Sequence, residues 1–158
     1  MLELLKTFVA EIGSGEKHAA QFGDSDYRLA AAALLIHVVG IDGDVSAIER
    51  EKLHAVLKSQ FDLDDAATAE LIDAATAADR DAVDLYGFTN KINRALDEDG
   101  RARMVEMMWE MVYADGQVSE FEDNVIWRAA DLLGVSSRQR IELRRKIAME
   151  SGKPKDDA

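Results

Sequence analysis

Two stretches of the chain are apolar almost all round, and each is followed by a sharp turn. Between Leu29 and Ile41 the run "LAAAALLIHVVGI" has the pattern of a central helix buried on several sides, and "RARMVEMMWEMVYADG" repeats it with Met104, Val105, Met107, Met108, Trp109, Met111 and Val112. Methionine at this density packs irregular cores, so the second run also reads as a buried helix rather than an open groove. Glycine follows each run, Gly43 or Gly116, in the place where a left-handed residue ends a helix without steric cost.

Amphipathic segments come next. "AIEREKLHAVLKSQF" sets Ile48, Leu53, Val56, Leu57 and Phe61 on one face, and "EFEDNVIWRAADLLG" does the same with Phe121, Val125, Ile126, Leu132 and Leu133. Asp64 and Ser136 then open a third helix in each half. The turns repeat at an offset of 73 (Asp42 to Asp115) and the following caps at 72 (Asp64 to Ser136), which marks a weak internal duplication. "DLYGFTNKINRALDEDG" joins the halves with a stripe of Leu85, Phe88, Ile92 and Leu96 and ends in an acidic turn, Asp97 to Gly100. These elements predict an all-α fold: one compact domain of about seven helices, with an internal pseudo-twofold duplication and mostly antiparallel neighbours.

The ends read differently. Leu2, Leu4, Leu5, Phe8, Val9 and Ile12 make a short N-terminal amphipathic helix, interrupted by Glu3 and Lys6, which excludes a signal peptide or a spanning helix. A glycine-rich linker leads to an N-cap among Asp24, Ser25 and Asp26. The expected boundaries are 1–24 for helix and linker, 25–150 for the helical domain, and 151–158 for a flexible polar tail.

Composition narrows the chemistry. A formal net charge of -12 over 158 residues removes the electrostatic term that drives generic binding to DNA or RNA, so nucleic acid is not an expected partner. The chain has no cysteine, which excludes disulfides, thiol nucleophiles and thiolate metal sites and fits the cytoplasm. One pair, Glu51 and His54, has the E-x-x-H spacing of di-iron bundles, but Asn124 and Trp127 stand at the matching places of the second half. With three histidines and no phosphate loop, no convincing catalytic set exists, and the chain does not read as an enzyme.

What remains is the repeated octet D-G-x-V-S-x-x-E, "DGDVSAIE" and "DGQVSEFE". Ser46 with Glu49 and Ser119 with Glu122 have the spacing of capping boxes, in which the serine oxygen accepts from the third helical N–H and the glutamate accepts from the serine N–H. Glu49 and Glu122 therefore serve either as capping partners or as ligands. Asp42 and Asp115 lack such an explanation, because a carboxylate in a last helical turn meets the negative end of the macrodipole. Asp44 adds a carboxylate whose counterpart is Gln117, and five residues before each Asp stand His37 and Glu110. Lone histidines in apolar helices are more often hydrogen-bonded core residues than ligands. Should the halves pack about a twofold axis, Asp42, Glu49, Asp115 and Glu122, with His37, Glu110 and Asp44 as further candidates, could converge on a divalent metal ion: oxygen donors suit Ca2+, Mg2+ or Mn2+, and an imidazole shifts the preference towards Mn2+, Fe2+ or Zn2+. Neither loop alone is an EF-hand, for want of a glutamate at the twelfth position.

The two octets, "DLYGFTNKI", and "MMWEMVYADGQVSEFEDNVIWRAADLLGV" together resemble the TerB-like family of tellurite-resistance-associated bacterial proteins, over roughly Asp26 to Lys146. The resemblance implies an all-helical pseudo-symmetric domain, an acidic metal site at Asp42, Glu49, Asp115 and Glu122, and partners among other proteins of a stress-response system, including membrane-associated assemblies at the inner membrane; it does not imply an enzyme. A metal-independent protein-interaction adaptor is the rival expectation. The oligomeric state is left open.

Overall fold

In the computed structural model the described residues form seven helices, built around two of their number. The residues it describes are Phe22, 26–41, Gly43, 45–114, Gly116 and 118–151. The expected N-terminal helix and the polar tail from 152 onward lie outside them, as do Asp42, Asp44 and Asp115. The helices are α1 (Tyr27–Val39), α2 (Ala47–Phe61), α3 (Asp65–Asp81), α4 (Tyr86–Ala95), α5 (Glu98–Val112), α6 (Glu120–Leu132) and α7 (Ser137–Glu150), and the described residues contain no strand.

Local chemistry sets most starts. Asp26, Ser46, Asp64, Asp97, Ser119 and Ser136 each accept a backbone N–H of the first turn, which satisfies one of the donors a helix start leaves unpaired. Asp26 also holds the Arg28 guanidinium at 2.7 Å, and Arg28 lies over the Phe22 ring at 4.8 Å, fastening the chain where α1 begins. The acidic stretch from Asp97 to Gly100, expected to be a turn, is instead the cap and first turn of α5. Asp97 accepts the Gly100 N–H at 2.9 Å, and Glu98 and Asp99 stand at the positive end of the helix macrodipole.

The two apolar runs are α1 and α5. Leu34, Leu35 and Val38 of α1 are fully buried, as are their counterparts at the 73-residue offset in α5, Met107, Met108 and Met111. Within one half α1 packs on α2 and α3, and α2 on α3; within the other α5 packs on α6 and α7, and α6 on α7. Across the halves α1 meets α5, while α1 meets α6 and α2 meets α5. Exchanging the two halves leaves this set of contacts unchanged, so the duplication seen in sequence is a pseudo-twofold arrangement in space. Among the described helices only α4, the connector, lacks a counterpart; it packs on α1 and α6.

Two apolar residues expected on the inner faces point outward. Ile48 is 54% exposed and Phe121 62%. Each capping box directs its glutamate, Glu49 or Glu122, into the protein, and the preceding residue, about 100° round the helix, is thereby turned to solvent.

The halves differ beneath α1 and α5. In the second, Arg103 donates to Glu106 at 2.8 Å, to Glu110 at 3.1 Å and to Gln60 of α2 at 3.0 Å, and Lys146 of α7 donates to the other Glu106 oxygen. Burial alone would raise the Glu106 carboxyl, but the hydrogen bonds from Lys146 and Arg103 outweigh it and hold the group below its ordinary value. In the first half the positions matching Arg103, Glu106 and Lys146 are Ala30, Ala33 and Ala74. Alanines thus do for α1 and α3 what an ion network does for α5 and α7.

Candidate functional site

The described residues of the two D-G turns make the same backbone hydrogen bonds. α1 ends at Val39 and α5 at Val112, three residues before Asp42 and Asp115, so the unfavourable macrodipole position expected for these carboxylates loses its premise. Gly40 N donates to Ile36 O and Tyr113 N to Trp109 O, both at 3.0 Å, and Gly43 N and Gly116 N each donate three residues back, to Gly40 O and Tyr113 O. Gly43 and Gly116 have φ of 133° and 86°, so glycine is needed within the turn and not as the residue that stops the helix.

Both capping boxes form. Ser46 N donates to Glu49 Oε1 at 3.0 Å and Glu49 N to Ser46 Oγ at 3.1 Å; Ser119 and Glu122 give the same distances. The glutamates are buried, at 4% and 5% exposure. Ser46→Ala and Ser119→Ala are each expected to lower stability by about 1 kcal/mol, read as a shift of the urea midpoint with no change of slope.

The other expected site residues are separated. His37 Nδ1 lies 2.9 Å from Asp79 Oδ1, joining α1 to α3, and is partly exposed rather than a core residue. Glu110 is engaged by Arg103. His54 of the E-x-x-H pair faces Asp65 at 3.8 Å, while Glu51 lines a different surface. Among the described residues no three His, Asp or Glu side chains come together to hold a metal ion; Asp42, Asp44 and Asp115 are not among them.

Two cavities flank the turns, one on each side of the pseudo-twofold. The larger, about 530 Å3, lies beside the second turn and is walled by Tyr113, Ala114 and Glu110 of one half and by Ile48, Glu51 and Lys52 of the other. The second, about 340 Å3, lies beside the first turn, between His37 and Ile41 on one side and Val125, Arg128 and Leu132 on the other. His37, Ile41 and Val125 are the counterparts of Glu110, Ala114 and Lys52. Each turn therefore faces the capped helix of the opposite half across a cavity, a proximity that chain spacing alone does not reveal. Sequence reading singled out neither Arg128 nor Asp79. A signal existed for Arg128, since the residue 73 positions earlier is Ala55 and the fold itself has no need of a charge there.

No helix among the described residues is long and apolar enough to cross a membrane. No curated protein and no solved structure matches the chain. The family model described as tellurite resistance protein TerB matches residues 28–145, from the first turn of α1 into α7, and takes in both octets and both central helices. By that match, over most of its length, the chain belongs to the TerB family of tellurite resistance proteins.

Proposed function

We propose that this chain is a non-enzymatic stress-response module, linked to tellurite resistance through its family, which binds a divalent cation with Asp42, Glu49, Asp115 and Glu122 of its two repeated turns. The burial of Glu49 and Glu122 carries the reading. A carboxylate withdrawn from water is costly unless it is paired, and among the described residues Glu49 accepts a single hydrogen bond, from its own serine. A hard cation bound to the other Glu49 oxygen would offset that cost, and Ca2+, Mg2+ and Mn2+ suit an all-oxygen set, with Zn2+ a further candidate. The packing of α1 on α6 and of α2 on α5, with each turn facing the opposite half across a cavity, supports a site shared between halves, one in which the ion would fasten α1 and α2 to α5 and α6. Partners in this reading are other proteins of the same system, in the cytoplasm or at the inner face of the membrane.

Elemental analysis of the purified protein, followed by thermal-shift titration with Mg2+, Ca2+, Mn2+ and Zn2+, tests it. At about 100 times Kd a cation adds about 2.7 kcal/mol, which for a domain of this size raises Tm by about 5–10 °C. Asp42→Asn and Asp115→Asn should each remove the shift. If no cation moves Tm in the wild type, or both variants respond as the wild type does, the metal reading fails.

A metal-independent adaptor is favoured by one observation: Ile48 and Phe121, exposed and at matching positions beside the two turns, offer a partner protein a pair of apolar contacts. Under that reading Ile48→Asp with Phe121→Asp abolishes partner capture with Tm unchanged, and cations have no effect.

A further inference from the structure

We propose that the cavity formed by His37, Ile41, Leu85, Tyr86, Val125 and Arg128 is a binding site for a small amphipathic carboxylate carrying a hydroxyl or amide donor. This is independent of metal at the turns. Its volume of about 340 Å3 is within the range of small-ligand pockets, about 300–1,000 Å3. Ile41, Val83 and Tyr86, three of the eight large apolar side chains that stand exposed among the described residues, surround it. Their clustering at one concave place separates them from the scattered apolar exposure of any protein surface.

The polar groups are few and available. Arg128 has no carboxylate partner among the described residues; of the carboxylates nearby, Asp79 faces His37 Nδ1, and Asp84, which also lines the cavity, accepts the Tyr86 N–H at 3.0 Å through one of its oxygens. In the neutral ring an acceptor-only carboxylate on Nδ1 selects the tautomer with the proton there, and Nε2, which has no partner among the described residues, is then an acceptor. A guanidinium is the side chain suited to a bidentate carboxylate, and the imidazole then takes the ligand's hydroxyl or N–H. The ligand's apolar body is left to Ile41, Leu85, Tyr86 and Val125.

The pseudo-twofold provides an internal control. At the counterpart cavity His37 is replaced by Glu110, Val125 by Lys52, Arg128 by Ala55 and Asp79 by Ser151. The same helical framework stands there without the imidazole and without the guanidinium, so neither is required for folding. The second copy keeps the concavity without the guanidinium and imidazole pair, and carries a lysine, Lys52, in place of Val125.

The test is an NMR titration of the full chain with 2-hydroxyhexanoate, with 1-hexanol as the uncharged control, on wild type and Arg128→Ala. Because the counterpart of Arg128 is Ala55 and Arg128 is exposed, the variant should fold, which a thermal melt verifies. Expected are amide shifts confined to residues around the cavity and a loss of about tenfold or more in affinity for 2-hydroxyhexanoate in Arg128→Ala, as for loss of a charge-assisted pair. Hexanol should bind both proteins equally and more weakly. The proposal is overturned by an absence of shifts, by shifts centred elsewhere, by equal affinity of wild type and Arg128→Ala for the acid, or by hexanol binding as well as the acid.

Discussion

Ala33→Glu is expected to lower stability by about 3–5 kcal/mol, a large share of the roughly 5–15 kcal/mol that holds a typical domain. The substitution installs in the first half the residue that the second half carries at the same place, Glu106. Glu106 is tolerated because Lys146 and Arg103 hold both its oxygens. At the corresponding positions the first half has Ala74 and Ala30, so a glutamate at position 33, where Ala33 is fully buried, would meet no cation from either. It must either remain charged and unpaired in the core or take up a proton at neutral pH, and both are paid in stability. Urea unfolding followed by far-UV circular dichroism measures the loss, and a wild-type midpoint would refute the account.

The reverse change, Glu106→Ala, should cost less, about 1–2 kcal/mol, because Lys146 and Arg103 are half-exposed and water takes over their solvation. Its cost should also depend on pH. The folded carboxyl is held below its ordinary value of 4.5, so its contribution is fully present above about that pH and is lost as pH falls through the lowered value in the folded protein. The gap between wild type and Glu106→Ala should therefore close on acidification.

Trp109→Ala is the second large expected loss, about 3–5 kcal/mol, or a fall in Tm of about 10 °C or more. Trp109 is 1% exposed, with the Tyr113 ring at 6.4 Å and the Arg144 guanidinium over its face at 5.1 Å. Truncation leaves a cavity where α5 meets its neighbours, and a close-packed interior relaxes only partly into it. Trp127, the other tryptophan, is 50% exposed against Arg140, and Trp127→Ala should change stability by no more than about 1 kcal/mol. Trp109→Phe should cost less than Trp109→Ala, since it keeps a ring and removes an indole N–H that has no acceptor among the described residues. Equal losses for Trp109→Ala and Trp127→Ala would show that the core is not centred on α5.

The parts of the fold that could be read directly were those that neighbours in the chain decide. Ser46 with Glu49 and Ser119 with Glu122 form their boxes because each partner is three residues away, and Asp64 and Ser136 open helices for the same reason. The apolar runs of α1 and α5 had to be buried because apolar residues occupy most of their circumference, and Glu106 and Glu110 of the α5 run are held by Arg103. Errors arose where one residue could serve two ends. Asp97, Glu98 and Asp99 suit a turn as well as a helix start, and Gly43 and Gly116 suit a helix stop as well as the positive-φ position of a turn that follows it. Ile48 and Phe121 fitted an apolar stripe, but the glutamate beside each fixes the rotation of the helix and turns them outward.

For the candidate site less was legible. The repeat pointed to the turns, to His37 and to Glu110, but their partners, Asp79 for one and Arg103 for the other, are chosen by helix packing. The sequence by itself determined the helices, their caps, the two buried helices and the duplication, because these depend on hydrogen bonds and periodicities within a few residues. Only the tertiary structure decided that each turn faces the opposite half across a cavity, that an ion network stands where the other half has an alanine patch, and that His37 and Arg128, ninety-one residues apart, border one cavity. Those pairings follow from how seven amphipathic surfaces bury one another at once, a choice made among whole helices that no local window of the chain contains.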